Sequence, residues 1–343
     1  MEFVQPDCLQ RQPALTVVPS SLVHHLALQY LKQAEVLRQR LVFWKNTIAE
    51  YRPHVVVADY APSLTMAARG TVGSVAIGTG YSLPPPEAAE CVPYRKPFGI
   101  GPAPSEQFLL NELNSILASV GAWKLERLPQ MNQATAYALM TIPIFDPYWE
   151  VRQQDYLGVE HPNGSPSPSP ETDEVAVGYF SGGIANTAII DGMKQSGVPM
   201  LLYLGGESER WRDRIAGSKI KLVEKPFDLK RQLPGRRLAI GSGSLGFVSA
   251  AMFAGLPQVV FCRHDEGWTI AKAIHMAQIG FAGHEHEMTA DRVASMIESA
   301  ANTSLMREFA VALSARYSEF RDKATLPKLV QLVLMVAQQK YAP

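Results

Sequence analysis

Cysteine is scarce in this 343-residue chain, which contains three, at Cys8, Cys91 and Cys262. Their number is odd and they lie far apart, so neither a disulfide framework nor a zinc site is predicted. The N-terminal residues carry no basic segment followed by an apolar core, so a signal peptide is not expected. This cysteine usage is typical of a reducing compartment, and we expect a cytoplasmic protein.

An excess of charge of either sign is also missing. Lys and Arg together number 32, as do Asp and Glu, so the formal net charge is zero. Without a basic excess, a nucleic-acid partner is not expected. No apolar run reaches the roughly 20 residues of a membrane-spanning helix, although peripheral contact with a membrane stays open. Hydrophobic residues make up 47% of the chain, enough to fill sizeable cores, and the length predicts two domains.

The clearest domain boundary is a stretch rich in proline and serine at residues 161–173, which predicts an exposed linker. It separates an N-terminal domain, residues 1–160, from a C-terminal domain, residues 174–343. In both, short β-branched runs alternate with helical periodicity, which predicts βαβ units and parallel sheets. One such run, residues 54–60, reads as a strand buried on both faces. The predicted fold class is α/β, with two Rossmann-like parallel-sheet domains facing a cleft.

The main candidate site lies in residues 239–257, where a predicted strand ends in Gly241-Ser242-Gly243-Ser244-Leu245-Gly246 and a helix begins. Glycines let the backbone adopt positive φ and approach a ligand closely. The start of a helix presents free N–H groups and a partial positive charge, which suits a diphosphate. The alternative interpretation is a tight turn that binds nothing.

The same residues, 241–246, also fit the dinucleotide fingerprint G-x-G-x-x-G. Asp265 and Glu266 follow about 20 residues later, where that fingerprint expects an acid that binds the ribose. An NAD(P)- or flavin-dependent oxidoreductase is therefore a second hypothesis.

Residues 239–257 resemble a segment of the GT-B glycosyltransferases, of the type that acts on macrolides, flavonoids and glycolipids. That segment is a strand, an H-G-G-x-G-T loop, a helix ending in A-G-x-P, a further strand and an acidic residue. Ala254, Gly255 and Pro257 match the helix end, and Glu266 stands at the acidic position. The loop positions are held in order by Ser242, Gly243, Ser244, Leu245, Gly246 and Phe247.

Three other segments are similar to the same family. Residues 52–62 resemble its P-D-x-V-V-x-D segment, residues 75–86 the strand and loop that follow, and residues 175–183 the first strand and loop of its C-terminal domain. The resemblance implies transfer of a hexose from a nucleotide sugar, a UDP- or dTDP-sugar acting as co-substrate without a further cofactor. The donor would bind the C-terminal domain, and a small-molecule or lipid acceptor the N-terminal domain. Donor contacts are implied for Ser181, Gly182, Gly183, Glu266 and the loop residues 242–247.

The sequence departs from the family pattern at several positions. Ser242 replaces the loop histidine, Ala250 a glutamate of the helix, and Gly267 a glutamine. The chain also begins downstream of the family's first strand and of the loop that supplies its catalytic base. A third hypothesis is therefore a catalytically weak homologue that binds a nucleotide sugar. No base is assigned; Asp59, at the end of a predicted strand, is a candidate either to orient a catalytic group or to cap the next helix.

Four further positions have two interpretations each. Phe227 ends a predicted strand and would pack on the nucleobase or within a core. His264 would contact the sugar or lie in a surface loop. Residues 284–286, His-Glu-His, are predicted to form a solvated loop in preference to a metal site. Cys262 ends an apolar strand and is predicted to be a buried small hydrophobe and not a nucleophile.

Overall fold

The computed structural model describes residues 21–88, 104–321 and 324–339. The chain divides into two compact units, Met1–Leu157 with Thr325–Pro343, and Gly158–Ala324. Two of the three cysteines, Cys8 and Cys91, lie outside the described residues. No helix in the described ranges is both long enough and apolar enough to span a membrane.

The first unit contains a parallel three-stranded sheet with the strand order β1-β2-β3. Its strands are β1 (Val55–Asp59), β2 (Gly73–Gly78) and β3 (Ala136–Leu139). The helices before and between them are α1 (Leu22–Lys32), α2 (Ala34–Tyr51), α3 (Pro62–Ala68) and α4 (Glu106–Ser119). Short 3₁₀ turns follow α4 and β3, at Leu128–Asn132 and Pro143–Phe145.

The first two helices show how local chemistry sets the element ends. The Ser21 hydroxyl accepts a hydrogen bond from the His24 N–H at 3.1 Å and so caps α1. The single helix predicted for residues 20–50 is interrupted at Gln33, whose φ of −122° is not helical. Helix α2 ends at Arg52, in the left-handed region with φ 45°, immediately before Pro53, which cannot extend it.

Strand β1 corrects one prediction. Its apolar run was expected to be buried on both faces, yet Val57 is 43% exposed. In the described sheet β1 is an edge strand that pairs with β2 on one side. An apolar run predicts a strand, but its place in the sheet sets its burial.

The second unit contains a parallel six-stranded sheet with the order β6-β5-β4-β7-β8-β9. Its strands are β4 (Ala176–Tyr179), β5 (Met200–Tyr203), β6 (Ile220–Val223), β7 (Leu238–Gly241), β8 (Gln258–Cys262) and β9 (Gly280–His284). Its helices are α5 (Thr187–Gln195), α6 (Ser208–Ile215), α7 (Leu229–Gln232), α8 (Leu245–Phe253), α9 (Asp265–Met276), α10 (Ala290–Asn302), α11 (Ser304–Arg316) and α12 (Ser318–Arg321). The chain starts at the middle of the sheet, builds one side, then returns to build the other.

The central strands β7 and β8 are buried along their whole length, as their apolar runs predict. The last strand, β9, was missed because Gly-Phe-Ala-Gly-His has no β-branched residue. It forms because Gly280 permits close packing on β8, where a Cβ would overlap the carbonyl oxygen of Gln258.

The C-terminal helix α13 (Thr325–Gln338) belongs to the first unit, not to the predicted C-terminal domain of residues 174–343. Leu329, Leu332, Val333 and Val336 pack in a core cluster that includes Val75 of β2. The helix thus packs its apolar face on the three-stranded sheet. The predicted linker, residues 161–173, also differs from expectation, because it lies within the second unit.

Candidate functional site

Two predicted loops meet at one edge of the six-stranded sheet. Strands β4 and β7 pair in parallel with Tyr179 opposite Gly241, so the loops after both strands leave the edge side by side. These loops contain Ser181–Gly183 and Ser242–Ser244. The strand order reverses between β4 and β7, and ligands of such sheets bind at the carboxyl ends of the strands at that point.

The start of α8 has the features of an anion site. Ser244 is its N-cap residue, the Ser244 hydroxyl makes no capping hydrogen bond, and no acidic residue lies in the first turn. The N–H groups of Leu245, Gly246 and Phe247 therefore have no acceptor within the helix. A Cβ built on Gly246 would meet no atom within 4 Å, so the start of the helix is open on the side of Gly246. Helix-start amides without an acceptor in the helix suit a phosphate.

Gly243 needs its glycine for two reasons. Its φ is +83°, in the region that side chains disfavour. A Cβ there would also lie 3.0 Å from the carbonyl oxygen of Gly267, at the start of α9. The loop after β7 is therefore packed directly against the next helix, which holds its backbone in place.

Aromatic rings lie beside these loops. Phe247 is 3% exposed, and its ring stacks on that of Tyr179, with centroids 5.3 Å apart and planes 15° apart. Tyr179 lies 5.1 Å from Tyr203 and 6.0 Å from the half-buried Phe227. Burial raises the pKa of Tyr179. The Phe247 ring is thus packed in the core and not available to a ligand, whereas Phe227 lies in the aromatic group beside the loops. No sequence motif indicated Tyr179 and Tyr203, although these aromatic residues end strands β4 and β5.

The loop after β4 differs from the loop after β7, because a protein carboxylate occupies the start of α5. Glu285 Oε1 accepts hydrogen bonds from the Ala185 N–H at 2.6 Å and the Asn186 N–H at 2.9 Å. Glu285 is 3% exposed and His284 4%, so the solvated loop predicted there is wrong for both residues. It is wrong because His284 ends β9, a strand that the sequence did not reveal.

Arg263, at the carboxyl end of β8, joins this arrangement. Its Nε lies 2.6 Å from Glu285 Oε2, and its Nη1 donates to the Gly182 carbonyl oxygen at 2.9 Å. The ion pair therefore ties the loop after β4 to the ends of β8 and β9. No motif indicated Arg263, whose only signal was a charge directly after a strand, and Glu285 was considered only as the middle residue of His-Glu-His 284–286.

The acidic candidates lie at the start of α9. The His264 Nδ1 accepts from the Gly267 N–H at 3.2 Å, so His264 caps this helix. Asp265 and Glu266 form its first turn, next to the loop after β7. Cys262 is fully buried and donates its thiol to the Gly283 carbonyl oxygen at 3.3 Å, which confirms that it is a core residue.

Asp59, the weakest candidate, lies in the first unit. It is exposed at the carboxyl end of β1. Helix α3 begins at the N-cap Ala61 without a side-chain cap, so the capping interpretation of Asp59 is wrong. Its other interpretation, orientation of a catalytic group, stays a prediction.

His161 anchors the residues before β4 to helix α8. Its Nε2 lies 3.0 Å from the Ser249 Oγ and its Nδ1 3.1 Å from the Ser165 Oγ. Ser249 also donates to the Leu245 carbonyl oxygen at 2.7 Å, in the first turn of α8. Burial lowers the pKa of His161, because the imidazolium would lose its hydration.

This burial predicts an acid-sensitive second unit. The pKa of His161 in the folded protein lies below its ordinary value of 6.5. The neutral ring therefore makes its full contribution to the stability of the second unit at any pH above 6.5. This contribution is lost as the pH falls below 6.5 and passes through the folded pKa, because the unfolded chain then binds the extra proton. Hydrogen exchange of peptides from the second unit should show a smaller loss of stability on acidification in His161→Gln than in the wild type. Ser249→Ala, which leaves the ring buried, should keep the wild-type pH dependence; an identical loss in all three proteins would contradict the assignment.

No protein-family model and no curated protein matches the chain in sequence. Solved structures do match it. The glycosyltransferase of kitacinnamycin matches with a TM-score of 0.61 and 15% identity, over 94% of this chain and 86% of that one. The calicheamicin glycosyltransferase CalG4 matches with a TM-score of 0.63 and 16% identity, over 93% and 81%. The glycosyltransferase VinC, solved with dTDP, matches with a TM-score of 0.62 and 13% identity, over 92% and 80%.

These structures are GT-B glycosyltransferases. The chain has the GT-B fold. The predicted fold class, α/β with two parallel-sheet domains, is confirmed in its two sheets. The candidate site at β4 and β7 lies in the second unit. This unit contains most of the predicted C-terminal domain, for which the family resemblance implied donor binding.

Proposed function

We propose that this GT-B protein is a glycosyltransferase that moves a hexose from a nucleoside-diphosphate sugar to a hydroxyl of a small-molecule or lipid acceptor. The observation that carries the proposal is the uncapped start of α8, with open space at Gly246, at the strand-order reversal. Structures of the same fold that are glycosyltransferases support it, one of them with dTDP bound.

The chemistry follows from the position of the diphosphate. In a direct displacement at the anomeric carbon, the departing diphosphate gains negative charge while a base removes the proton of the acceptor hydroxyl. The N–H groups of Leu245, Gly246 and Phe247 stand ready to stabilise that charge without reorganising. We assign no base. Glu266, in the first turn of α9, is the proposed partner for sugar hydroxyls.

The nucleobase would pack near the aromatic rings beside the loop. Phe227 is half-buried, and its ring lies 6.0 Å from that of Tyr179 and 6.4 Å from that of Tyr203. An aromatic surface of this kind binds a planar base by stacking. Both UDP- and dTDP-sugars carry a pyrimidine, so the donor is proposed to be one of the two.

The position of the fingerprint is less favourable to an oxidoreductase. In the dinucleotide fold the glycine-rich turn follows the first strand of the sheet. Here the first strand is β4, and the start of the helix after it already holds the Glu285 carboxylate. The glycine-rich turn follows β7, which is the fourth strand of the unit in chain order.

Calorimetric titration separates the two nucleotide-sugar hypotheses from the oxidoreductase. We expect UDP or dTDP to bind and NAD⁺ and NADP⁺ not to bind; tight binding of a dinucleotide instead would overturn the proposal. Turnover of a radiolabelled UDP- or dTDP-hexose, with hydrolysis to water as the minimal acceptor reaction, then tests catalysis. Binding without any turnover across acceptors would support the catalytically weak homologue.

A further inference from the structure

A positively charged side chain that no motif had indicated, Arg263, contacts the loop after β4 at the proposed diphosphate site. Resting on the proposed function, we propose that Arg263 is a binding residue for the donor diphosphate and supplies the charge that the Gly/Ser loop lacks. Residues 241–247 contain no Lys, Arg or His. The amides of α8 carry only partial charges, so a diphosphate bound there would lack a full counter-charge.

Arg263 lies at the edge of the sheet that carries the candidate site. Strand β7 lies between β8, which ends next to Arg263, and β4, which leads to Gly182. The Arg263 Nη1 donates to the Gly182 carbonyl oxygen at 2.9 Å. The guanidinium therefore lies against the loop after β4, one of the two loops of the candidate site.

The guanidinium is held rigidly yet keeps donors for a ligand. Its Nε and Nη2 lie 2.6 Å and 3.2 Å from the two oxygens of Glu285. These bonds and the bond to Gly182 use three N–H groups of the guanidinium. The guanidinium has further N–H groups that can donate to a ligand. The Arg263 side chain is 33% exposed, whereas that of Glu285 is 4% exposed. The carboxylate is thus buried, whereas part of the Arg263 side chain is accessible to a ligand.

Glu285 has a separate task in this arrangement. Its Oε1 also accepts hydrogen bonds from the Ala185 and Asn186 amides. Without Glu285 these two amides would be free to bind the phosphates in place of the α8 amides. A glutamine at 285 would keep an acceptor oxygen for these amides while removing the negative charge that opposes a diphosphate. The two residues of the pair are therefore expected to respond differently to loss of charge.

The test compares nucleoside, monophosphate and diphosphate of the base that the wild type binds, by calorimetry. In Arg263→Gln the preference for diphosphate over nucleoside should fall about 10- to 100-fold, the worth of a charge-assisted hydrogen bond, while nucleoside affinity stays unchanged. Glu285→Gln should keep the preference or increase it. Arg214→Gln is the matched control, because it removes a forked pair with Asp191, both bonds 2.6 Å, elsewhere in the second unit.

Each outcome decides. If Arg263→Gln keeps the full preference, Arg263 does not bind the diphosphate. If Arg263→Gln and Glu285→Gln lose it equally, or if nucleoside affinity falls in step, the pair only positions the loop and the inference is wrong. If the wild type binds neither UDP nor dTDP, the proposed function itself fails, which is a different result from the first two.

Discussion

Replacing Gly246 with Asp should abolish binding of the nucleoside diphosphate while leaving the fold intact. At the second position of α8 an added Cβ meets no atom within 4 Å, so the helix has room to accept a side chain there. A carboxylate in the first turn of a helix is itself favourable, because it interacts with the positive end of the helix. In that position the Asp carboxylate would occupy the place of the ligand's phosphates. The same physics that retains the fold therefore removes the function.

The expected loss is large. Like charges forced together at a binding site cost several kcal/mol, which corresponds to a Kd on the order of 100-fold weaker or more. The control is Gly246→Ala, which adds a Cβ without charge and should change the Kd little. Calorimetry with UDP and dTDP gives the Kd, and circular dichroism with thermal melting checks the fold. Wild-type affinity in a folded Gly246→Asp protein would remove the start of α8 from the site.

Replacing Asp146 with Asn should strongly destabilise the first unit. The Asp146 side chain is fully buried and pairs with the Arg152 Nε at 2.8 Å, and the Arg152 side chain is 1% exposed. The Tyr156 hydroxyl donates to Asp146 at 2.7 Å. Arg152 in turn donates to the carbonyl oxygens of Leu83 and Gly80, at 2.7 Å and 3.1 Å. The cluster thereby holds the loop after β2.

Loss of one partner leaves the other charge buried without compensation. For such a change we expect a loss of about 3–5 kcal/mol in the free energy of unfolding. Hydrogen exchange of peptides from the first unit, followed against urea, measures it for that unit alone. The control Glu35→Gln breaks the pair with Arg38, whose side chains are 70% and 40% exposed, and should cost less than about 1 kcal/mol. Equal effects in the two variants would show that Asp146 is not electrostatically coupled to Arg152.

The part of the site that was predicted from the sequence is the part built from neighbouring residues. Ser242 to Phe247 form a strand-to-helix transition whose glycine spacing is visible along the chain, and the structure places it at the sheet edge as expected. The residue type did not predict the direction in which a side chain points. Phe247 was predicted as a ligand contact, but its ring turns back over Gly241, where a Cβ would lie 2.8 Å from it.

The missed residues have partners that are distant in sequence. Glu285 binds the Ala185 amide, which is 100 positions away, and Arg263 binds the Gly182 carbonyl oxygen, 81 positions away. The side chains meet because β8 and β9 extend the sheet beyond β7, and β9 itself gave no strand signal. A charge after a strand is common, so neither residue could be selected from the pattern alone.

By itself the sequence determined the α/β class, the alternation of strands and helices, and the glycine-rich start of α8. Periodicity, helix caps and glycine conformations are properties of short segments, so they are readable without knowing the fold. Only the tertiary structure decided the order of the strands, the return of residues 325–338 to the first unit, and the meeting of Arg263 with Glu285 and Gly182. Those features depend on which segments pair across the sheet and on which apolar faces remain to be covered. Which segments pair and which faces are covered depends on the packing of the whole chain.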